Sequence, residues 1–141
     1  MLVVHSANRF YLSGFELHDG QCNESSGCLL IFASGQDWLL TDARFTEEAR
    51  RHWPAECVHV YGAPRMEKIA SFVRSLGIRD LWVETHAMCA EMYLELGKSL
   101  NLHPAPRLVE ELRTVKDGEE LARIKASCAL NHAVYDVLRP Q

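Results

Sequence analysis

Seven histidines (His5, His18, His52, His59, His86, His103, His132) and five cysteines (Cys22, Cys28, Cys57, Cys89, Cys128) are the residues here with the widest chemical reach. Zinc sites draw ligands at short spacings, such as two histidines one helical turn apart or a C-x-x-C pair. The histidines are far apart in this chain, and no two cysteines form that pair. The nearest combination is His86 with Cys89, at the start of a predicted helix. A thiol at a helix N-terminus can be acidified, and a neighbouring imidazole can serve as its base. No third residue that would orient the base can be identified, so a surface histidine beside a half-buried thiol accounts for the pair. Walker-type, G-x-S-x-G and H-E-x-x-H patterns are all absent from the sequence.

The densest polar cluster is His18, Asp19, Gln21, Asn23 and Glu24, inside a turn-rich stretch from residue 16 to 27. Two readings fit it: a solvated loop of turn formers, or a loop reaching toward a substrate pocket or subunit interface from a rigid scaffold. Thr41-Asp42-Ala43-Arg44-Phe45 also stands out. Thr41 or Asp42 at a strand end can cap the next helix, and Arg44 can pair with an acidic group on a neighbouring element.

Positioning these groups requires a scaffold, and the hydrophobic pattern describes one. Leu2-Val3-Val4 fits a short buried strand, and the segment from Asn8 to Phe15 passes through Gly14, which permits a tight turn. Cys28–Ala33 and Trp38–Thr41 read as a hairpin across Ser34-Gly35-Gln36-Asp37. Ala43–Arg51 is helix-like, and Cys57–Tyr61 alternates as a strand. A helix opens at Pro64, carries Ile69, Phe72, Val73 and Leu76 as one stripe, and stops at Gly77. Leu81-Trp82-Val83 gives the next strand, and Ala87–Ser99 a helix with Met88, Met92 and Leu96 on one face. After a break at Pro104 and Pro106, Asp117 and Glu120 form a capping box for a long helix with Leu121, Ile124, Cys128, Tyr135 and Leu138 near one face. The order β-β-α-β-α-β-α predicts an α/β domain: a mixed open β-sheet flanked by helices, ending in a long helix.

Composition agrees with one soluble domain and excludes several classes. The chain has 141 residues, 48% hydrophobic and 24% charged. A net charge of −4 argues against nucleic acid as a partner. No apolar run approaches the roughly 20 residues of a membrane span, and the first residues lack the pattern of a signal peptide. An odd number of scattered cysteines, with Cys28, Cys57 and Cys128 inside apolar patterns, points to a reduced cytoplasm.

Three segments together resemble the N-terminal domain of the creatinase, aminopeptidase P and prolidase family. Asn8-Arg9-Phe10-Tyr11-Leu12-Ser13-Gly14-Phe15 is similar to the family's N-x-x-Y-L-T-G-F. Leu39-Leu40-Thr41-Asp42-Ala43-Arg44-Phe45 is similar to its strand followed by T-D-x-R-Y. Leu112-Arg113-Thr114-Val115-Lys116-Asp117-Gly118-Glu119-Glu120-Leu121 is similar to its L-R-x-I-K-[SD]-x-x-E-[IL]. The resemblance assigns Asn8, Tyr11, Gly14, Asp42, Arg44, Arg113, Lys116 and Glu120 as motif residues with structural roles. Two departures stand out: Met1 leads directly into Leu2-Val3-Val4, where the family has a preceding helix, and the loop at Cys22–Ser26 is unusually polar.

The resemblance implies a non-catalytic domain at residues 1–116 and a linker helix at 117–141, leading to a catalytic domain beyond Gln141. That domain would hold two divalent metal ions (Mn, Co or Zn) and hydrolyse Xaa-Pro bonds in short peptides. No residue of this chain is carried over as catalytic or as a metal ligand. Expected partners are the chain's own C-terminal domain and a second subunit, with the loop holding His18 and Glu24 near the substrate entrance or the interface. The alternatives are a creatinase-like amidinohydrolase and a non-enzymatic binding module that kept the fold.

Overall fold

Leu2–Val3 (β1) begins the chain yet lies in the interior of a six-stranded sheet. The other strands are β2 (Gly27–Leu30), β3 (Trp38–Thr41), β4 (Val58–Val60), β5 (Asp80–Val83) and β6 (Asn101–Pro104), in the order β4-β3-β2-β1-β5-β6. β2 runs antiparallel to both neighbours, and the pairs β3–β4, β1–β5 and β5–β6 are parallel. The sheet is therefore mixed, and the predicted hairpin is present as β2–β3. The computed structural model describes residues 1–15, 27–33 and 35–139.

Alternation along the strands sorts side chains to two faces. One face presents Leu2, Cys28, Leu30, Leu40, Leu81 and Val83 to the main core. Helices α3 (Arg65–Ser75) and α4 (Ala90–Gly97) pack against each other there, α3 contributing Ile69, Ala70 and Val73 and α4 contributing Leu96. Trp38 and His59 anchor α3 through Phe72: the His59 ring stacks on Phe72 at 3.7 Å, and Trp38 meets it edge-on at 5.1 Å. Burial in this stack holds the His59 pKa below its ordinary value. α1 (Ser6–Ser13) packs on β2, and α2 (Thr46–His52) on β3 and β4.

Several elements depart from the sequence expectation. Asn8–Ser13 belongs to a helix rather than a simple turn, and Gly14 closes it with φ 69° while its N–H donates to Phe10 O. The apolar period there is hidden because Asn8 and Arg9 are its buried residues. The region from residue 43 to 52 is a tight turn at Ala43–Phe45 followed by α2, not one helix from Ala43. α4 starts at Ala90 instead of Ala87, because the Ala87 and Met88 amides close a turn onto Glu84 O. β6 and α5 (Leu108–Thr114) were not expected. β6 is short and polar, and it tolerates Pro104 because it lies at the sheet edge.

The chain divides into two compact units, Met1–Leu108 and Val109–Gln141. The second contains α6 (Gly118–Leu138), with the predicted capping box in place: Asp117 Oδ1 accepts from Glu120 N at 2.8 Å, and Glu120 Oε2 accepts from Asp117 N at 2.9 Å. None of the 21 residues of α6 is buried. Leu121, Ile124, Leu130, Val134, Tyr135, Val137 and Leu138 are all exposed, and so is Cys128, which therefore does not act as a core residue.

Candidate functional site

β1 and β5 are parallel neighbours, so their carboxyl ends meet at one end of the sheet, where α1 begins. Glu84, just past β5, is fully buried there. Its Oε2 accepts from the amides of Val4 (2.7 Å) and His5 (2.8 Å), and its Oε1 accepts from Asn8 Nδ2 (2.7 Å). The carboxylate thus sits at the N-terminal end of α1, where the helix dipole favours negative charge. Both oxygens are engaged and shielded from solvent, so Glu84 holds β5 to α1. The His5 and His86 rings stack beside it at 6.3 Å.

The rest of the first motif extends this clamp. Arg9, also buried, donates from Nη1 to Gly27 O at 2.6 Å, and its guanidinium lies 5.8 Å from the Phe15 ring centroid. Burial lowers the Arg9 pKa from its ordinary value. Ser13 Oγ donates to Arg9 O and accepts from Phe15 N, which turns the chain out of the helix. Tyr11 is exposed.

In the second motif, Asp42 caps the Ala43–Phe45 turn by accepting from Arg44 N at 2.9 Å. Arg44 returns to the same carboxylate with Nε at 3.1 Å and Nη2 at 2.9 Å. Asp42 thus caps the turn, and Arg44 pairs with that same carboxylate, two residues back. Arg44 is exposed, so the pair contributes little to stability. In the third motif, Arg113 lies in the last turn of α5, Lys116 Nζ donates to Thr114 O, and Glu120 completes the box at α6.

His18, Asp19, Gln21, Asn23 and Glu24 lie outside the described residues. Cys89 occupies the N-cap of α4 with an exposed side chain that makes no capping bond, while the His86 ring is engaged with His5. Cys28 and Cys57 are buried as expected, and burial pushes the Cys28 thiol up to about 11. A pocket of about 730 Å³ opens between the first turns of α3 and α4, lined by Arg65, Met66, Cys89 and Met92 among others. Among the described residues, no three His, Cys, Asp or Glu side chains could hold a metal ion. No helix among them is long and apolar enough to cross a membrane.

Sequence reasoning missed Glu84. Its signal was an acidic residue directly after the apolar run Leu81-Trp82-Val83, where an unpaired carboxylate would be costly to bury.

A mixed sheet flanked by helices, with a polar clamp that holds strands to a helix, defines an α/β domain. Residues 1–115 match the Creatinase/Prolidase N-terminal domain, and the chain belongs to that family. The uncharacterized peptidase YqhT of Bacillus subtilis (strain 168) is 27% identical over 124 residues, which cover 86% of this chain and 33% of that protein. The Xaa-Pro dipeptidase from Bacillus anthracis matches with a TM-score of 0.76 at 23% identity, over 99% of this chain and 39% of its own; that likeness is one of fold. The N-terminal domain of cytoplasmic peptidase PepQ from Mycobacterium tuberculosis matches with a TM-score of 0.65 at 26% identity, over 79% of this chain and 85% of its own. The chain spans about a third of the length of the curated relative it matches.

Proposed function

We propose that this chain is the N-terminal, non-catalytic domain (1–116, with a linker helix at 117–141) of a proline-specific dipeptidase or aminopeptidase. The observation that carries the reading is α6: it is fully capped at its start, yet its apolar side chains are left exposed along its whole length. A helix of that composition gains most of its stability from tertiary packing, and a further domain would supply the surface. The relatives with peptidase names, which extend well beyond the matched region, support this.

The chemistry belongs to that further domain. There, metal ions would generate hydroxide and polarise the Xaa-Pro carbonyl. The present domain would support a homodimer, and its loop at residues 16–24 would limit access to short peptides by its bulk. A cytoplasmic setting is part of the same reading, in line with the relative described as a cytoplasmic peptidase.

The test starts with the parent reading frame past Gln141. Two aspartates, a histidine and two glutamates in that order, together with metal-dependent hydrolysis of Xaa-Pro dipeptides by the full-length protein, are the expected result. A frame that continues without those ligands, or a full-length protein inert toward such substrates, ends the peptidase reading. Deleting residues 16–24 from the active parent should change its substrate-length preference or its subunit mass; unchanged kinetics and mass would remove the loop from the account.

A further inference from the structure

At the β5–β6 end of the sheet, one group of side chains serves neither the clamp nor the caps. Asp80 and Trp82 alternate with Leu81 and Val83 along β5, and the register sets Asp80 beside Asn101 and Trp82 beside His103. Leu81, Val83 and Leu102 turn to the core. Leu102 Cδ1 lies 3.8 Å from where a Cβ on Gly97 would stand, so α4, with its Glu91 and Glu95 and its C-cap Lys98, crosses that face. Asp80, Trp82, Asn101 and His103 therefore share the opposite face.

His103 is held from two directions. Its Nε2 lies 2.9 Å from Asp80 Oδ1, and its ring lies 4.7 Å from that of Trp82 at an interplanar angle of 27°. Asn101 Nδ2 donates to the same carboxylate oxygen at 3.3 Å. Trp82 is 50% exposed. An ionised carboxylate only accepts, so Nε2 carries the hydrogen and Nδ1 is the atom that takes up a second proton.

We propose that Asp80, Trp82 and His103 form a proton-operated latch on the edge of the sheet. When His103 takes a proton from solvent, the existing contact becomes an ion pair on one side and a cation–π stack on the other. Both changes pull edge strand β6 toward β5. The latch is closed where the imidazole is charged and Asp80 ionised, and it is looser where the imidazole is neutral. Hydrogen bonds from His103 and then Asn101 hold the Asp80 carboxyl below its ordinary value of 3.8, which extends the closed range on the acid side.

NMR of the 141-residue chain between pH 8 and 5 tests this, following the His103 ring C–H, the Trp82 indole N–H and the Asp80 side-chain carboxyl carbon. The Trp82 signal should move with the same midpoint as His103. Exchange protection of the Asn101 and Ala105 amides, which donate to Arg79 O and Val83 O, should rise about twofold to fivefold on acidification after correction for intrinsic rates. In His103→Gln the Trp82 response and the gain in protection should vanish, and Asp80 should titrate at a higher pH. The parent spectrum alone can overturn the proposal: a Trp82 signal that stays flat while His103 titrates, or protection that does not rise, sinks it. An Asp80 midpoint unchanged by His103→Gln does the same.

Discussion

Glu84 receives three hydrogen bonds in a site without solvent, and each of its donors would be stranded if the carboxylate were removed. Glu84→Ala should therefore cost about 3 kcal/mol of unfolding free energy, measured by urea denaturation. Glu84→Gln should cost less, about 1 kcal/mol, because the shape is kept and the remaining side-chain oxygen can still accept from the Val4 and His5 amides. Asn8→Ala should be non-additive with Glu84→Ala, since both remove the same contact. Cys28 is a second buried group with a measurable signature. Its thiol is raised from 9.0 to about 11 by burial, so the protonated form is the one the fold favours. The stabilisation is complete below pH 9 and is lost as pH climbs toward 11, by about 3 kcal/mol in all. Denaturation midpoints that fall across that interval in the parent, and fall less in Cys28→Ala, are the expected result.

At the scale of elements, the caps carry the predictions. Asp117→Ala removes one half of a reciprocal pair and should lower the stability of α6 by about 1 kcal/mol, visible as lost helicity in far-ultraviolet dichroism. The same elements show what could be read in advance. Asp117, Glu120, Gly77 and the stripe Ile69–Leu76 follow local rules of periodicity and punctuation, and the structure keeps them. α1 and β6 do not follow those rules. α1 buries an asparagine and an arginine instead of an apolar stripe, because their partners come from Glu84 and Gly27, far away in sequence. β6 is defined by pairing with β5, and its residues Asn101, His103 and Pro104 carry no strand preference of their own. The motif residues were found by their pattern, but their tasks (clamp, turn cap, helix cap) became visible only with their partners in place.

For the whole molecule, the two units make different demands. The sheet unit closes a core of its own, whereas α6 displays Leu121, Ile124, Val134 and Leu138 to solvent. Amide exchange should therefore be fast along α6 in this chain and slower by orders of magnitude in a longer protein carrying the proposed further domain, with Cys128 losing its reactivity toward thiol reagents in step. Equal exchange in the two proteins would mean that nothing covers the helix. The topology has one more consequence, which concerns synthesis. β1 needs β2 on one side and β5 on the other, and Val83 follows Leu2 by roughly eighty residues. At about 5–20 residues per second, the ribosome delivers the β1–β2–β3 meander several seconds before the strand that completes it. During that interval the nascent chain offers an open strand edge beside Leu2 and Val3. Its yield in a cell should therefore depend on how well translation speed and holding chaperones cover that gap.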